Sequence, residues 1–232
     1  MSTEIDAEKA NSSFMQFGPE RERFPFWMKL GFWSCIVIAV AVVFRRAVAL
    51  IGPPNLTAPP QLAQLDANFA SHAQLTWIHI LCALALIFLL PFLFWQQTGN
   101  SIRLQRAFLI LGLIVGSTAY AMSIHAVGGW LERSAVLLFN TLFIASLVRA
   151  YVLGRRGDIA QKRRWALRAT AILLGIATTR PVMGIFFATS SLTHLTPQKF
   201  FGIAFWIGFS MNTFLIELWL RKSTFARERL DS

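Results

Sequence analysis

Six apolar runs, each long enough to cross a bilayer, constrain this chain more than any other feature. A hydrocarbon core of about 30 Å needs roughly 20 helical residues. No strand-like alternation competes over these lengths, and turn-forming residues separate the runs. The sequence therefore predicts an all-α fold, a polytopic membrane helical bundle with six transmembrane helices. The predicted spans are residues 27–49, 75–95, 105–127, 134–153, 165–189 and 198–221.

The composition favours a membrane protein over a soluble one. Hydrophobic residues make up 55% of the chain and charged residues 14%, whereas charged residues are about 25% of a typical soluble domain. The net charge is +11, but membrane topology itself requires basic residues at the ends of apolar runs. We therefore expect the lipid bilayer as partner, with other membrane subunits as further candidates, and no nucleic acid.

The distribution of Lys and Arg predicts the orientation. Of the 22 basic residues, sixteen lie on the side that holds both termini, four lie on the other side and two lie within the runs. Positively charged loops stay in the cytoplasm, so both termini are predicted to be cytoplasmic. The chain then divides into a cytoplasmic N-terminal tail (1–26), a six-span membrane domain (27–221) and a cytoplasmic C-terminal tail (222–232).

Two histidines are candidate cofactor-binding residues near the outer face. His79 lies in the first turns of the second span and His125 ends the third, so both should share one layer and face each other across the bundle interior. Facing histidines with small neighbours could hold a haem iron, with haem b the candidate, or another metal. Asp66 and Glu132 could add oxygen ligands. The alternative is a structural or interfacial role for both rings.

Arg180 is the third candidate. It lies 15 residues beyond Trp165, about 22 Å along the helix, in the outer half of the membrane. A lipid-facing Arg at mid-membrane costs about 2.5–3.5 kcal/mol, and the alternative is that the side chain extends to the headgroups. We expect Arg180 to point inward, towards an anionic ligand, towards Glu132, or towards backbone carbonyls such as the one of Ala177 that Pro181 leaves without its helical partner.

A second charged pair is predicted at the opposite face. Arg149 and Glu217 each lie about four residues from the cytoplasmic end of their spans. Because a charge within the membrane tends to find a partner, we expect them to form an ion pair. The alternative is that each side chain reaches the interface separately.

Several short stretches, in the same order and with similar spacing, resemble a bacterial family of predicted membrane proteins, domain of unknown function 2306. The resemblance covers roughly residues 75–187 and implies a multi-pass protein of the bacterial inner membrane, without implying an activity. The matching stretches are Ile78-His79, Pro91 with Phe94, Arg106, Ala150-Tyr151, the run Arg163-Arg164-Trp165-Ala166-Leu167-Arg168, and Arg180.

The chain departs from the family pattern at three positions. Leu93 replaces a glutamine, and Gln105 and Lys162 replace two histidines on the cytoplasmic side. If those histidines bind a ligand in the family, this member has lost them and is a divergent branch.

Three functional hypotheses follow. No zinc spacing, phosphate loop, nucleophile elbow or close carboxylate pair is present in the sequence, which argues against an enzyme. The first hypothesis is a non-catalytic or accessory membrane component. The second is a redox protein that binds haem or quinone near the outer face. The third is a small anion transporter in which Arg180 contacts the anion.

Overall fold

The computed structural model describes residues 24–52, 66–67, 69–94, 101–189 and 196–228, and within these it describes only the backbone at 197–198 and 224–228. The described residues form six helices that are long and apolar enough to cross a membrane, and they contain no strand. The predicted all-α, six-span fold is therefore confirmed. The helices are α1 (Phe26–Ile51), α2 (Ala73–Phe94), α3 (Ile102–Ser123), α4 (Gly129–Arg155), α5 (Ile159–Ala188) and α6 (Pro197–Glu228).

The chain divides into two compact units after Trp33, within α1. In the first unit the described residues begin α1, where the rings of Phe32 and Trp33 meet edge to face at 5.7 Å. The second unit holds every residue of the site described below. Residues 1–23 of the predicted N-terminal tail and 229–232 of the predicted C-terminal tail lie outside the described residues.

Two helices begin well before the predicted spans. α4 begins at Gly129, and α5 begins at Ile159, six residues ahead of the predicted start. The cause at α5 is a polar N-cap, since the Asp158 carboxylate accepts a hydrogen bond from the Gln161 backbone N–H at 2.9 Å. Hydropathy locates the hydrocarbon segment of a helix, whereas capping residues decide where the helix itself begins.

Glycines allow α3, α4, α5 and α6 to pack closely. A Cβ added at Gly112 of α3 would meet the Leu147 side chain of α4 at 2.5 Å. A Cβ at Gly208 of α6 would meet the backbone nitrogen of Thr179 in α5 at 2.8 Å. Contacts of this kind let membrane helices approach backbone to backbone. The close contact at Thr179 fixes the backbone of α5 immediately before Arg180.

Polar side chains add hydrogen bonds between α5 and α6. Thr178 donates to the Asn212 side-chain oxygen at 2.9 Å, and the Asn212 amide donates to the Ala171 carbonyl at 3.3 Å. On α1, the Cys35 sulfur lies 3.8 Å from the Thr178 hydroxyl. Hydrogen bonds between membrane helices contribute on average about 0.6 kcal/mol each. α5 is thus held by several partners, and Pro181 lies within it without ending it before Ala188.

Candidate functional site

A cavity of about 260 Å³ lies within the second unit, and side chains from all six helices line it. It lies towards the end of the bundle where α5 ends and α6 begins, here called the cavity end. The opposite end, where α4 ends and α5 begins, is called the basic end. The three residues expected to bind a cofactor, His79, His125 and Arg180, all line this cavity.

The cavity is polar at one end and apolar along its length. Its charged and imidazole-bearing lining residues lie near helix termini at the cavity end: Arg46, His72, His79, His125, Glu132 and Arg180. The remaining wall is mainly aliphatic and aromatic and includes Phe139 and Phe143 of α4 and Phe205 and Phe209 of α6. The rings of Phe139 and Phe209 stack at 5.3 Å. On α4 the lining runs from Glu132 to Phe143, about 16 Å at 1.5 Å per residue. The cavity therefore has one charged end and a longer, mainly apolar part.

Arg180 lines the cavity and has few hydrogen-bond partners within the described protein. Its Nη1 approaches the Met183 sulfur at 3.8 Å, which is a weak acceptor. Its Nε is buried and has no hydrogen-bond partner among the described residues. No described carboxylate forms a salt bridge with it, and neither expected protein acceptor, Glu132 or the Ala177 carbonyl, binds it. Arg180 is thus a part-buried guanidinium that lines a cavity and has at least one N–H group without an acceptor in the described chain.

Glu132 acts on Arg180 at a distance. Its Oε2 accepts a hydrogen bond from the Gly128 backbone N–H at 2.6 Å, which holds the carboxylate at the start of α4. The Glu132 charge attracts Arg180 through space, and the Arg45 charge repels it. The acid therefore faces the cation without neutralising it by contact.

Two further arginines, Arg45 and Arg46, lie near the end of α1. Asp66 binds both of them, with Arg46 Nη1 at 2.6 Å and Arg45 Nη2 at 3.0 Å. Arg46 is only 7% exposed, and its guanidinium lies 3.8 Å from the centre of the Phe69 ring. One carboxylate thus serves two cations, so the cavity end keeps an excess of positive charge.

The histidines have different neighbours from those expected. The rings of His72 and His125 pack at a centroid distance of 4.0 Å. His79 Nδ1 lies 2.8 Å from the Thr118 hydroxyl oxygen, and that hydroxyl donates to the Ile114 carbonyl at 2.8 Å. Thr118 therefore accepts from the Nδ1–H of His79, and a neutral ring held this way carries its lone pair on Nε2.

A metal centre is not supported by this arrangement. Among the residues that the structure describes, no three His, Cys, Asp or Glu side chains are grouped to hold a metal ion. The two acids expected as oxygen ligands are otherwise engaged, Asp66 with the arginines of α1 and Glu132 with Gly128. Nor do the comparisons below support the haem, quinone or transport hypotheses.

At the basic end, Glu217 forms its ion pair with Arg168. The predicted pair of Glu217 with Arg149 is therefore wrong. Arg168 Nε and Nη2 reach the two carboxylate oxygens, the second at 3.1 Å. The guanidinium carbons of Arg149 and Arg168 each lie 4.5 Å from the Trp165 ring centre. Arg149 is thus near the ion pair, and its described contact is a cation–π contact.

Sequence reasoning missed Arg46, His72 and Asn140 as lining residues. Arg46 lies near the end of its run and was only counted among the four basic residues of the other side, although the depth argument used for Arg180 applies to it. His72 lies before its span. Asn140 donates to the Gly116 carbonyl at 2.9 Å and holds α3 against α4; as a polar residue within a span it was the most accessible signal of the three.

Comparison with known proteins identifies a family and no characterised relative. The profile of the family described as predicted membrane protein (DUF2306) matches residues 76–220, which is more than half of the chain. The match extends beyond the resemblance seen in the sequence, through most of α6. No curated protein and no solved structure matches.

Proposed function

The chain belongs to the family of predicted membrane proteins (DUF2306), and we propose that it is a non-catalytic membrane protein that binds an anionic ligand in its cavity through Arg180. The observation that carries the proposal is the buried Nε of Arg180, which has no hydrogen-bond partner in the described chain. Ionisable residues within membrane helices face partners, cavities or ligands because lipid cannot solvate them.

Arginine suits an anion more than a neutral acceptor. Its planar guanidinium offers a fork of N–H donors that matches carboxylate or phosphate oxygens. An anion would supply both the missing acceptor and the missing countercharge, whereas a neutral carbonyl would supply only the acceptor. We assign His79 and His125 as polar neighbours of the bound head group, because both line the same cavity.

We also propose that both termini face the cytoplasm and that the membrane is the bacterial inner membrane. The sixteen-to-four distribution of basic residues supports this orientation. It would place the cavity end at the outer face. A periplasm-active reporter fused after Ser232 should then be silent, and the same reporter inserted between Gly128 and Gly129 should be active. The reverse pattern would refute the orientation.

Ligand retention tests the function. Native mass spectrometry of the protein extracted in mild detergent should show a bound small molecule on the wild type and not on Arg180→Gln. Arg180→Lys keeps the charge but loses the fork, so it should retain less ligand than the wild type. Arg45→Gln, a change in an exposed arginine of the same region, is the control and should retain it. Equal occupancy in wild type and Arg180→Gln would overturn the proposal.

An accessory role in a larger membrane complex stays a prediction. Crosslinking in intact membranes, followed by identification of the adducts, would test it.

A further inference from the structure

We infer that the ligand is a single-chain anionic amphiphile, with its head on Arg180 and its one apolar chain in the aromatic part of the cavity. This inference rests on the proposed function and narrows the class of ligand. Four features carry it: the charge at the cavity end, the apolar wall, the length of that wall and the volume.

The charge at the cavity end selects an anionic head. Three charged side chains line the cavity, Arg46, Arg180 and Glu132. Arg46 is paired with Asp66, and Glu132 does not contact Arg180. Arg180 is therefore the lining arginine without a contacting carboxylate, and a negative head group would supply that countercharge.

The wall beyond Arg180 selects an apolar chain. From Arg180 the lining of α5 continues to Ile172, about 12 Å along the helix, past Ala177, Ile176 and Leu173. Phenylalanines of α4 and α6 also line the cavity. A small hydrophilic anion would leave this apolar part of the cavity unfilled.

The volume selects one chain. Pockets that enclose a drug-sized ligand measure about 300–1,000 Å³, and this cavity measures about 260 Å³. One acyl chain suits that space, whereas the two chains of a phospholipid would not both fit. Because the bilayer is itself as apolar as the cavity, moving the chain from lipid into the cavity yields little binding free energy. The chain therefore has to fit the cavity, and the charged head group provides most of the binding selectivity.

A set of matched probes tests the inference on the purified full chain in nanodiscs. Radiolabelled decanoate carries both head and chain. The competitors are decanol, which has the chain without the charge, acetate, which has the charge without a long chain, and a two-chain phosphatidate. We expect decanoate to bind, with decanol, acetate and phosphatidate each competing at least tenfold more weakly than unlabelled decanoate.

Two pairs of variants assign the two halves of the cavity. Arg180→Gln should weaken decanoate binding about ten- to hundredfold and remove its preference over decanol, whereas Arg45→Gln should not. Ala83→Trp should block the chain, because Ala83 lines the cavity on the same face as His79 and Ile87. Leu81→Trp is its control, since Leu81 is 55% exposed and does not line the cavity.

The outcomes separate this inference from the proposed function. If acetate or phosphatidate competes as well as decanoate, or if Ala83→Trp binds decanoate normally, the single-chain amphiphile is wrong while an anion site at Arg180 stands. If Arg180→Gln and Arg180→Lys both bind every probe as the wild type does, the inference and the proposed function fail together. Should Arg180→Gln not fold, Arg180→Lys decides: an unchanged affinity for decanoate would overturn the inference.

Discussion

Arg168 and Arg180 lie on the same helix, twelve residues apart, yet their surroundings differ in almost every respect. Arg168 binds both oxygens of Glu217 and packs against Trp165. Arg180 meets a methionine sulfur and keeps a buried nitrogen without a described partner. The first cation is satisfied by the protein, and the second has no carboxylate partner among the described residues.

The difference shows how a membrane helix can carry one residue type in two roles. At the basic end, α5 has an acid on α6 and an aromatic ring within reach, so its arginine stabilises helix packing. At the cavity end, Arg180 lines the cavity that the helices enclose. The four predictions below test this contrast, from the largest expected effect to the smallest.

Arg180→Gln should reduce the affinity for an anionic ligand by about ten- to hundredfold, since hydrogen bonds to a charged group contribute about 1.5–3 kcal/mol. It should not lower the free energy of unfolding, because no strong protein contact is lost and the membrane cost of a charge is removed. Binding isotherms and thermal midpoints measured on the same preparation check both statements. A lower midpoint with unchanged affinity would make Arg180 structural.

Glu217→Gln should do the opposite. The change leaves Arg168 without its carboxylate, and loss of hydrogen bonds to a charged group lowers the free energy of unfolding. Because the Glu217 side chain is 34% exposed to solvent, we expect a loss of at most about 2 kcal/mol. Ligand affinity should stay within about twofold, because the change is remote from the cavity. Denaturation curves of the wild type and the variant provide the comparison, and a variant as stable as the wild type would show that the pair contributes little.

Glu132→Gln should tighten binding. The carboxylate attracts Arg180 through space and repels an anionic head, so its removal should raise the affinity by about fivefold, which corresponds to about 1 kcal/mol. The amide can still accept from the Gly128 N–H, which keeps the fold of the α4 start. Weaker binding would mean that Glu132 itself contacts the ligand.

Arg45→Gln should have the smallest effect. Its ion pair with Asp66 is solvent-exposed on the Arg45 side, at 47%, and exposed pairs contribute about 0–1 kcal/mol. Arg46 keeps Asp66 in place. Thermal midpoints and decanoate affinity should both stay close to the wild-type values, and a large loss of either would extend the site to Arg45.

The sequence was sufficient to predict the six helices and to group three candidate residues at one end of the bundle; their role as a binding site stays a prediction. Apolar runs of about 20 residues reveal spans because lipid leaves the backbone few alternatives. His79, His125 and Arg180 could be assigned to one layer by counting residues from helix ends, and all three line one cavity.

What the sequence could not supply is the direction in which each side chain faces. When a span is apolar on every side, its sequence does not reveal which face of the helix points into the bundle. Depth alone therefore could not distinguish Arg149 from Arg168 as the partner of Glu217. The contacts of Asp66 with the α1 arginines and of His72 with His125 depend on how the segments between helices fold. Hydropathy does not encode that.

The most direct test of the contrast is the thermal midpoint with and without decanoate at about a hundred times its dissociation constant, where binding stabilises the folded state by about 2.7 kcal/mol. The midpoint should rise in the wild type and in Glu217→Gln, which starts lower, and should rise by about half as much or less in Arg180→Gln, whose affinity is ten- to hundredfold weaker. An equal rise in all three proteins would contradict the assignment of Arg180 as the anion-binding residue.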